Sequence, residues 1–413
     1  MLILMVLLII SNFIFPFGST AEQTVKTVQS SGTITYAEEP ESLIVLRFED
    51  HGGFADQKLN ASFVVEHTDM YRAGPWMTAI PDPVHALNPD LPIIVYRDFM
   101  NINDLHGYWD TAVANNWLLK DTNGDFVYAI NHPNNKIADR ASPTFMQYTA
   151  DLVQSFMDDG FDGVFADNGI QIFPNDEWTM SARPVNPRTG QLYTDLEWFE
   201  DTLNFMDYVK AEVPDAIIIA NGMPFSGHFF YQYQEQLEDY LTRSTIDGKF
   251  IEGAFNNFNG LYTESKWKES VDMIVRFQEF YLSDPTKSIV IWCPNNAIPA
   301  DMTENQMSLF IFTSSLLGVS RSNQNYISGH NDMDSAFTQS LFNIDLGVPT
   351  EDYHIIGGTH IYERQFSKIR VLVNPTDNDI SMDLGGSYLD LDGQTISSIT
   401  LTKYSGAILQ PIS

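Results

Sequence analysis

The sequence predicts a (β/α)8 barrel followed by a small antiparallel β-domain, and three observations carry that prediction. From about residue 40 to residue 346, short apolar runs alternate with amphipathic helical stretches. That is the pattern of parallel strands buried on both faces and joined by crossover helices. No strand-like run is followed by Gly-x-Gly-x-x-Gly, which disfavours a dinucleotide-binding open sheet and leaves a barrel as the preferred parallel architecture. From about residue 347 the helical period stops, and short strand-like runs are joined by Asn, Asp and Gly turns. A length of 413 residues accommodates a barrel of about 250 to 300 residues with an appendage.

Taken in order, residues 42–48 read as the first buried strand, 62–66 as a second and 92–99 as a third. Residues 103–117 read as helical, and 136–139 as a short strand ending on Asp139. Ser142-Pro143 then opens a helix, as an N-cap followed by proline in the first turn. Phe145, Tyr148, Leu152, Val153 and Phe156 repeat at helical spacing until Gly160 ends the run. Phe161-Asp162-Gly163-Val164-Phe165-Ala166-Asp167-Asn168 is the next strand. Further on, helices over 196–209, 267–281 and 303–317 alternate with strands over 216–220, 248–253 and 288–292. Thr303 with Gln306 has the spacing of a capping box. In the tail, strands are expected over 359–366, 369–374, 380–384 and 397–403.

Composition bounds the function. With 44% hydrophobic and 13% aromatic residues the chain can bury a full core. Its 22 basic against 54 acidic residues leave a net charge of −32, which argues against nucleic acid or an anionic membrane as partner, since both need basic surface. A neutral or cationic substrate is compatible with that charge. The first 21 residues carry no charged side chain, and Leu2 to Ile10 are all hydrophobic. With Ser19-Thr20-Ala21 offering small residues for cleavage, residues 1–21 are expected to be a secretory signal, or an N-terminal membrane anchor if uncleaved. Secretion or display on the outer face of the membrane follows. Cys293 is the only cysteine, so no intrachain disulfide forms. None of the nine histidines is four residues from another, so no zinc motif is present, and no metal or cofactor is expected.

In parallel barrels the chemistry sits at the C-terminal ends of the strands. Asp167 and Glu252 each close an apolar strand-like run, which separates them from the surface and capping carboxylates that make up most of the acidic residues. Two carboxyl groups facing one bond can divide acid and nucleophile, or acid and base, between them. Asp98 and Asp139 also end strand-like runs and are candidates for substrate contact, as are Glu49 and Asp50 after the first strand. Asn168 and Asn221 could hydrogen-bond sugar hydroxyls, although asparagine after a strand is ordinarily turn chemistry. Tyr96 and Trp292, at strand ends, are candidate sugar-stacking faces, against the commoner fate of core filling.

Several blocks of the chain resemble known sequences. They are Trp117-Leu118-Leu119-Lys120-Asp121 with Gly124, Ala138-Asp139-Arg140 before Ser142-Pro143, and Gly160 through Asn168. The tail adds Tyr362 to Phe366, Val371 to Thr376, Leu391-Asp392-Gly393 and Tyr404 to Leu409. Over roughly residues 40 to 410 the chain resembles the hypothetical glycoside-hydrolase TIM-barrel families, distantly related to endo-α-1,4-polygalactosaminidases. The resemblance implies a barrel over 40–346 with a β-domain over 347–413, and hydrolysis of a polysaccharide or oligosaccharide. It matches Asp167 to the catalytic acid ending strand four, and strand order makes Glu252 its partner from strand six. Two alternatives stay open. Phe48 to Gly53 faintly resembles the first-strand motif of polysaccharide deacetylases, though without their His-x-x-x-His pair. A non-catalytic carbohydrate-binding or cell-surface protein on the same barrel is the other.

Overall fold

Eight parallel strands close into a barrel in the computed structural model: β1 (Leu46–Asp50), β2 (Met70–Ala73), β3 (Ile93–Asp98), β4 (Gly163–Asp167), β5 (Ile217–Ala220), β6 (Gly248–Glu252), β7 (Ser288–Trp292) and β8 (Asn325–Ile327). Each strand pairs with the next along the chain, and β8 closes on β1. The structure describes residues 42–50, 60–105, 107–174, 180–222, 226–257, 259–294, 299, 301–328 and 335–412. The expected signal segment lies outside them. No helix among the described residues is long and apolar enough to cross a membrane.

Inward-pointing side chains alternate along each strand. One residue from every strand fills the barrel interior: Phe48, Met70, Ile94, Phe165, Ile219, Phe250, Val290 and Tyr326. Burying each contributes roughly 1.5–3 kcal/mol. Two residues further along, towards the C-terminal ends, the next inward layer contains Arg72, Tyr96, Asp167, Asn221, Glu252 and Trp292. The apolar ring is thus the floor on which a polar layer stands.

Around the barrel lie α1 (Ala61–His67), α2 (Pro81–Leu87), α3 (Trp109–Ala114), α4 (Pro143–Asp158), α5 (Asp195–Glu212), α6 (Gly227–Gln232), α7 (Gln234–Arg243), α8 (Glu264–Phe280), α9 (Glu304–Gly318) and α10 (Ala336–Phe342). Gly163, in the fourth-strand block, has a packing role: a Cβ there would stand 2.0 Å from the carbonyl oxygen of Ile217 on β5.

Several expectations need correction. Residues 62–66 are not the second strand but the body of α1, whose N-cap Asn60 accepts from the Ser62 amide at 2.9 Å. The β-branched Val64 and Val65 suggested a strand, and the cap outweighs them. The strand expected over 136–139 is His132–Ile137, which pairs with Asn101–Asn103 and Tyr128–Ala129 in a side sheet outside the barrel. Only 109–114 of the helix expected over 103–117 is helical. The capping box at Thr303 is half formed. Thr303 accepts from the Gln306 amide at 3.2 Å, while the Gln306 side chain donates to the Lys403 carbonyl at 2.8 Å.

The C-terminal sheet is antiparallel and has six strands: β9 (His354–Ile355), β10 (Tyr362–Gln365), β11 (Arg370–Asn374), β12 (Ile380–Leu389), β13 (Thr395–Leu401) and β14 (Ser405–Pro411), in the order β9-β10-β11-β14-β12-β13. It packs against α9. Arg364 on β10 donates Nη1 to the carbonyls of Leu316, Leu317 and Val319 at 3.0, 3.0 and 2.7 Å. The last carbonyls of a helix have no partner within it, and a buried guanidinium supplies one.

Candidate active site

The polar layer opens into a cleft of about 660 Å³ at the C-terminal end of the barrel, lined by Tyr96, Asp98, Asp167, Asn168, Asn221 and Glu252 among others. Asp167 sits at its centre. The Tyr96 hydroxyl donates to Asp167 Oδ2 at 2.7 Å, and the Asn168 amide and Asn221 Nδ2 donate to Oδ1 at 2.9 and 3.0 Å. Asn221 Nδ2 also donates to Glu252 Oε2 at 2.8 Å. One nitrogen therefore bridges the two acids, and the bridged oxygens lie at most 5.8 Å apart (3.0 plus 2.8).

The surroundings fix this arrangement. Asn168 adopts φ 55°, a left-handed conformation that asparagine tolerates better than most residues. Its carbonyl is held by Arg140 Nη2 at 2.6 Å, while Arg140 Nη1 reaches Thr202 Oγ1 at 2.7 Å. Burial brings the Arg140 guanidinium down to about 10, where it stays charged at neutral pH. Lys249 is buried beside β5 and donates Nζ to the Gly222 carbonyl at 2.9 Å, pinning the turn that carries Asn221. Burial pulls this lysine down to about 7, against the opposing pull of Glu252 and Asp167.

Asp98 lies on the cleft wall, its Cα in register with that of Asp167. Its oxygens accept from the amides of Met100 and Asn101, from Asn101 Nδ2, and from Asn168 Nδ2 at 3.2 Å. Burial and the nearby charge of Asp167 push its carboxyl up to about 6. Tyr96 is raised well above its ordinary value, first by burial and then by Asp167 and Asp98. It is therefore held as a hydroxyl donor.

Two of the expected contact residues, Asp139 and Glu49, stand elsewhere. Asp139 is buried below the side sheet, where it accepts from the Ala141 amide at 3.1 Å and from the Tyr193 hydroxyl at 3.4 Å. It does not line the cleft, because the strand before it belongs to the side sheet. Glu49 is buried and faces away from the barrel interior. Asp50 ends β1 opposite Arg72, with its side chain outside the described residues. Trp292 stands in register with Glu252, but its ring packs on Phe250 with centroids 5.7 Å apart.

Sequence reasoning missed Tyr262, which lines the cleft and donates to the Gly253 carbonyl at 2.9 Å. It also missed Arg72, Trp76, Arg97 and Tyr108, which line an adjoining pocket. Misplacing the second strand hid the first two: with β2 at Met70–Ala73, Trp76 lies in the loop at the barrel's catalytic face.

Comparison with known proteins agrees with the fold. A family model described as hypothetical glycosyl hydrolase family 15 matches residues 85–369. Among solved structures, the Bacillus licheniformis trehalose-6-phosphate hydrolase is similar with a TM-score of 0.52 at 11% identity, covering 89% of this chain and 99% of that one. An alpha-amylase from Lactobacillus plantarum is similar with a TM-score of 0.54 at 11% identity, covering 89% of this chain and 99% of that one. At such identities the likeness is one of fold. No curated protein matches the chain in sequence.

Proposed function

Because the chain belongs to hypothetical glycosyl hydrolase family 15 and is thereby a glycoside hydrolase, we propose that Asp167 and Glu252 cleave a glycosidic bond in a polysaccharide or oligosaccharide, with retention of anomeric configuration. The observation that carries this reading is the Asn221 amide shared between the two acids. A bridge of at most 5.8 Å between carboxylate oxygens (3.0 plus 2.8) fits the roughly 5–5.5 Å separation of retaining enzymes. It falls short of the roughly 6.5–9.5 Å that leaves room for water in inverting ones.

In the first step Asp167 attacks the anomeric carbon while the Glu252 carboxylic acid protonates the leaving oxygen, giving a covalent glycosyl ester. In the second, the Glu252 carboxylate takes a proton from water, which attacks the same carbon and releases Asp167. Asp167 receives three donors, which complement an anion. That favours it as nucleophile and Glu252 as acid and base.

The uncharged apolar segment of residues 1–21 supports secretion, and the resemblance of the barrel blocks supports a distant kinship with endo-α-1,4-polygalactosaminidases. The test is a polysaccharide panel with the chain from Glu22 onward, beside Asp167→Asn and Glu252→Gln. Sugar release by the wild type that falls at least about 10³-fold in both variants is the expected result. Variants that keep the wild-type rate would overturn the assignment of these residues.

A further inference from the structure

A second pocket of about 420 Å³ opens off the cleft and shares Tyr96, Asp98, Asn101 and Asn135 with it. Its far walls include Trp76, Arg97 and Tyr108. Trp76 is 64% exposed, an uncommon state for so large an apolar ring. It packs against Gly74, where an added Cβ would stand 2.6 Å from ring atom Cζ2. Glycine is therefore what lets the ring sit against the loop while its other face stays open.

Two arginines line this pocket although the chain as a whole is acidic. Arg97 stacks its guanidinium over Tyr108 at 4.8 Å, and among the described residues it forms no ion pair. Arg72 also lines the pocket, its guanidinium 5.1 Å from the centre of the Tyr96 ring. Among the described lining residues the one carboxylate is Asp98, whose oxygens already receive four hydrogen bonds and do not pair with Arg97. The net charge of −32 acts over the outer surface, where salt screens it beyond about 8 Å.

An open indole face is a platform for the apolar face of a sugar ring. A guanidinium held by stacking presents a fork of donors that matches a carboxylate. We propose that this pocket is a subsite for an acidic sugar, with Trp76 stacking on the ring and Arg97 pairing with its carboxylate. The substrate class is then a uronate-containing oligosaccharide, whose next sugar enters the cleft at Asp167 and Glu252. This rests on the hydrolase reading given above.

The test is binding of glucuronate, galacturonate, glucose, glucosamine and glucose 6-sulfate to the wild-type chain, followed by saturation-transfer NMR and tryptophan fluorescence. Arg97→Met and Trp76→Ala are measured beside it. The expected result is uronate binding about tenfold or more tighter than glucose, equivalent to ~1.4 kcal/mol. Arg97→Met removes that preference and leaves glucose binding unchanged, and Trp76→Ala weakens both. Equal affinity for uronate and glucose, or an equal effect of Arg97→Met on the two, would overturn the proposal. Preference for glucose 6-sulfate or glucosamine would overturn the carboxylate assignment. Cleavage of neutral polysaccharides without uronate binding would leave the hydrolase standing and remove the subsite. Arg97-dependent uronate binding without any cleavage would do the reverse.

Discussion

The Tyr96 hydroxyl donates to Oδ2 of Asp167 at 2.7 Å, across neighbouring strands of the barrel. This bond orients the carboxylate and complements its charge, and the tyrosine is held in its protonated form by burial and by the acids beside it. Tyr96→Phe keeps the ring on the barrel floor and deletes only the donor. A hydrogen bond to a charged group is worth about 1.5–3 kcal/mol, so kcat should fall roughly 10- to 100-fold in protein that still folds. Steady-state kinetics beside thermal unfolding check it. Unaltered kcat would mean that the bond does not serve the reaction.

Asp98 gives the structure a pH dependence of predictable sign. Its carboxyl, ordinarily near 3.8, is pushed up to about 6 by burial and by Asp167. The native state therefore binds this proton at pH values where the unfolded chain has released it. Its contribution to stability is full below about pH 4 and is lost as pH rises through about 6. Asp98→Asn removes the titration and flattens that segment of the curve, whatever it does to the overall level. Urea midpoints measured from about pH 4 to about pH 7 test this. A slope of the same size in the variant would place the titration in another group.

Gly163 lets β4 and β5 approach closely enough to place Asp167 beside Asn221. A Cβ on residue 163 would stand only 2.0 Å from the Ile217 carbonyl oxygen, so Gly163→Ala must push the strands apart. A loss of roughly 3 kcal/mol is expected, together with reduced activity of the protein that still folds. Chemical denaturation and kinetics on the same sample measure both.

Arg364 ties the C-terminal sheet to the barrel through three carbonyls at the end of α9. Its removal leaves those carbonyls buried without this donor. Arg364→Ala should therefore destabilise the chain by about 3 kcal/mol or more, far from the cleft and without a change in KM. A variant as stable as the wild type would show that the carbonyls find other partners.

Much of the barrel was legible because parallel strands write themselves as continuous apolar runs, and the acids that end β4 and β6 break those runs visibly. Residues with mixed signals misled. Val64 and Val65 read as a strand, which moved β2 and hid Arg72 and Trp76. β8 is only Asn325–Ile327, and its buried Asn325 is satisfied by Gln278 Nε2 at 2.8 Å, so no apolar run announces it. Asp139 has the look of a strand-end acid, but its strand pairs in a side sheet that no local pattern distinguishes from the barrel. The bridge made by Asn221 depends on β4, β5 and β6 meeting in register, which only the closed barrel supplies.

Retention of configuration and an ester on Asp167 stand or fall together on one measurement. The anomeric configuration of the first product is followed by NMR on a substrate found by the polysaccharide panel, together with labelling by a 2-deoxy-2-fluoro glycoside. The short bridge through Asn221 and the three donors on Asp167 predict that configuration is retained and that the label is carried by Asp167. An inverted first product, or a label on another side chain, would contradict it.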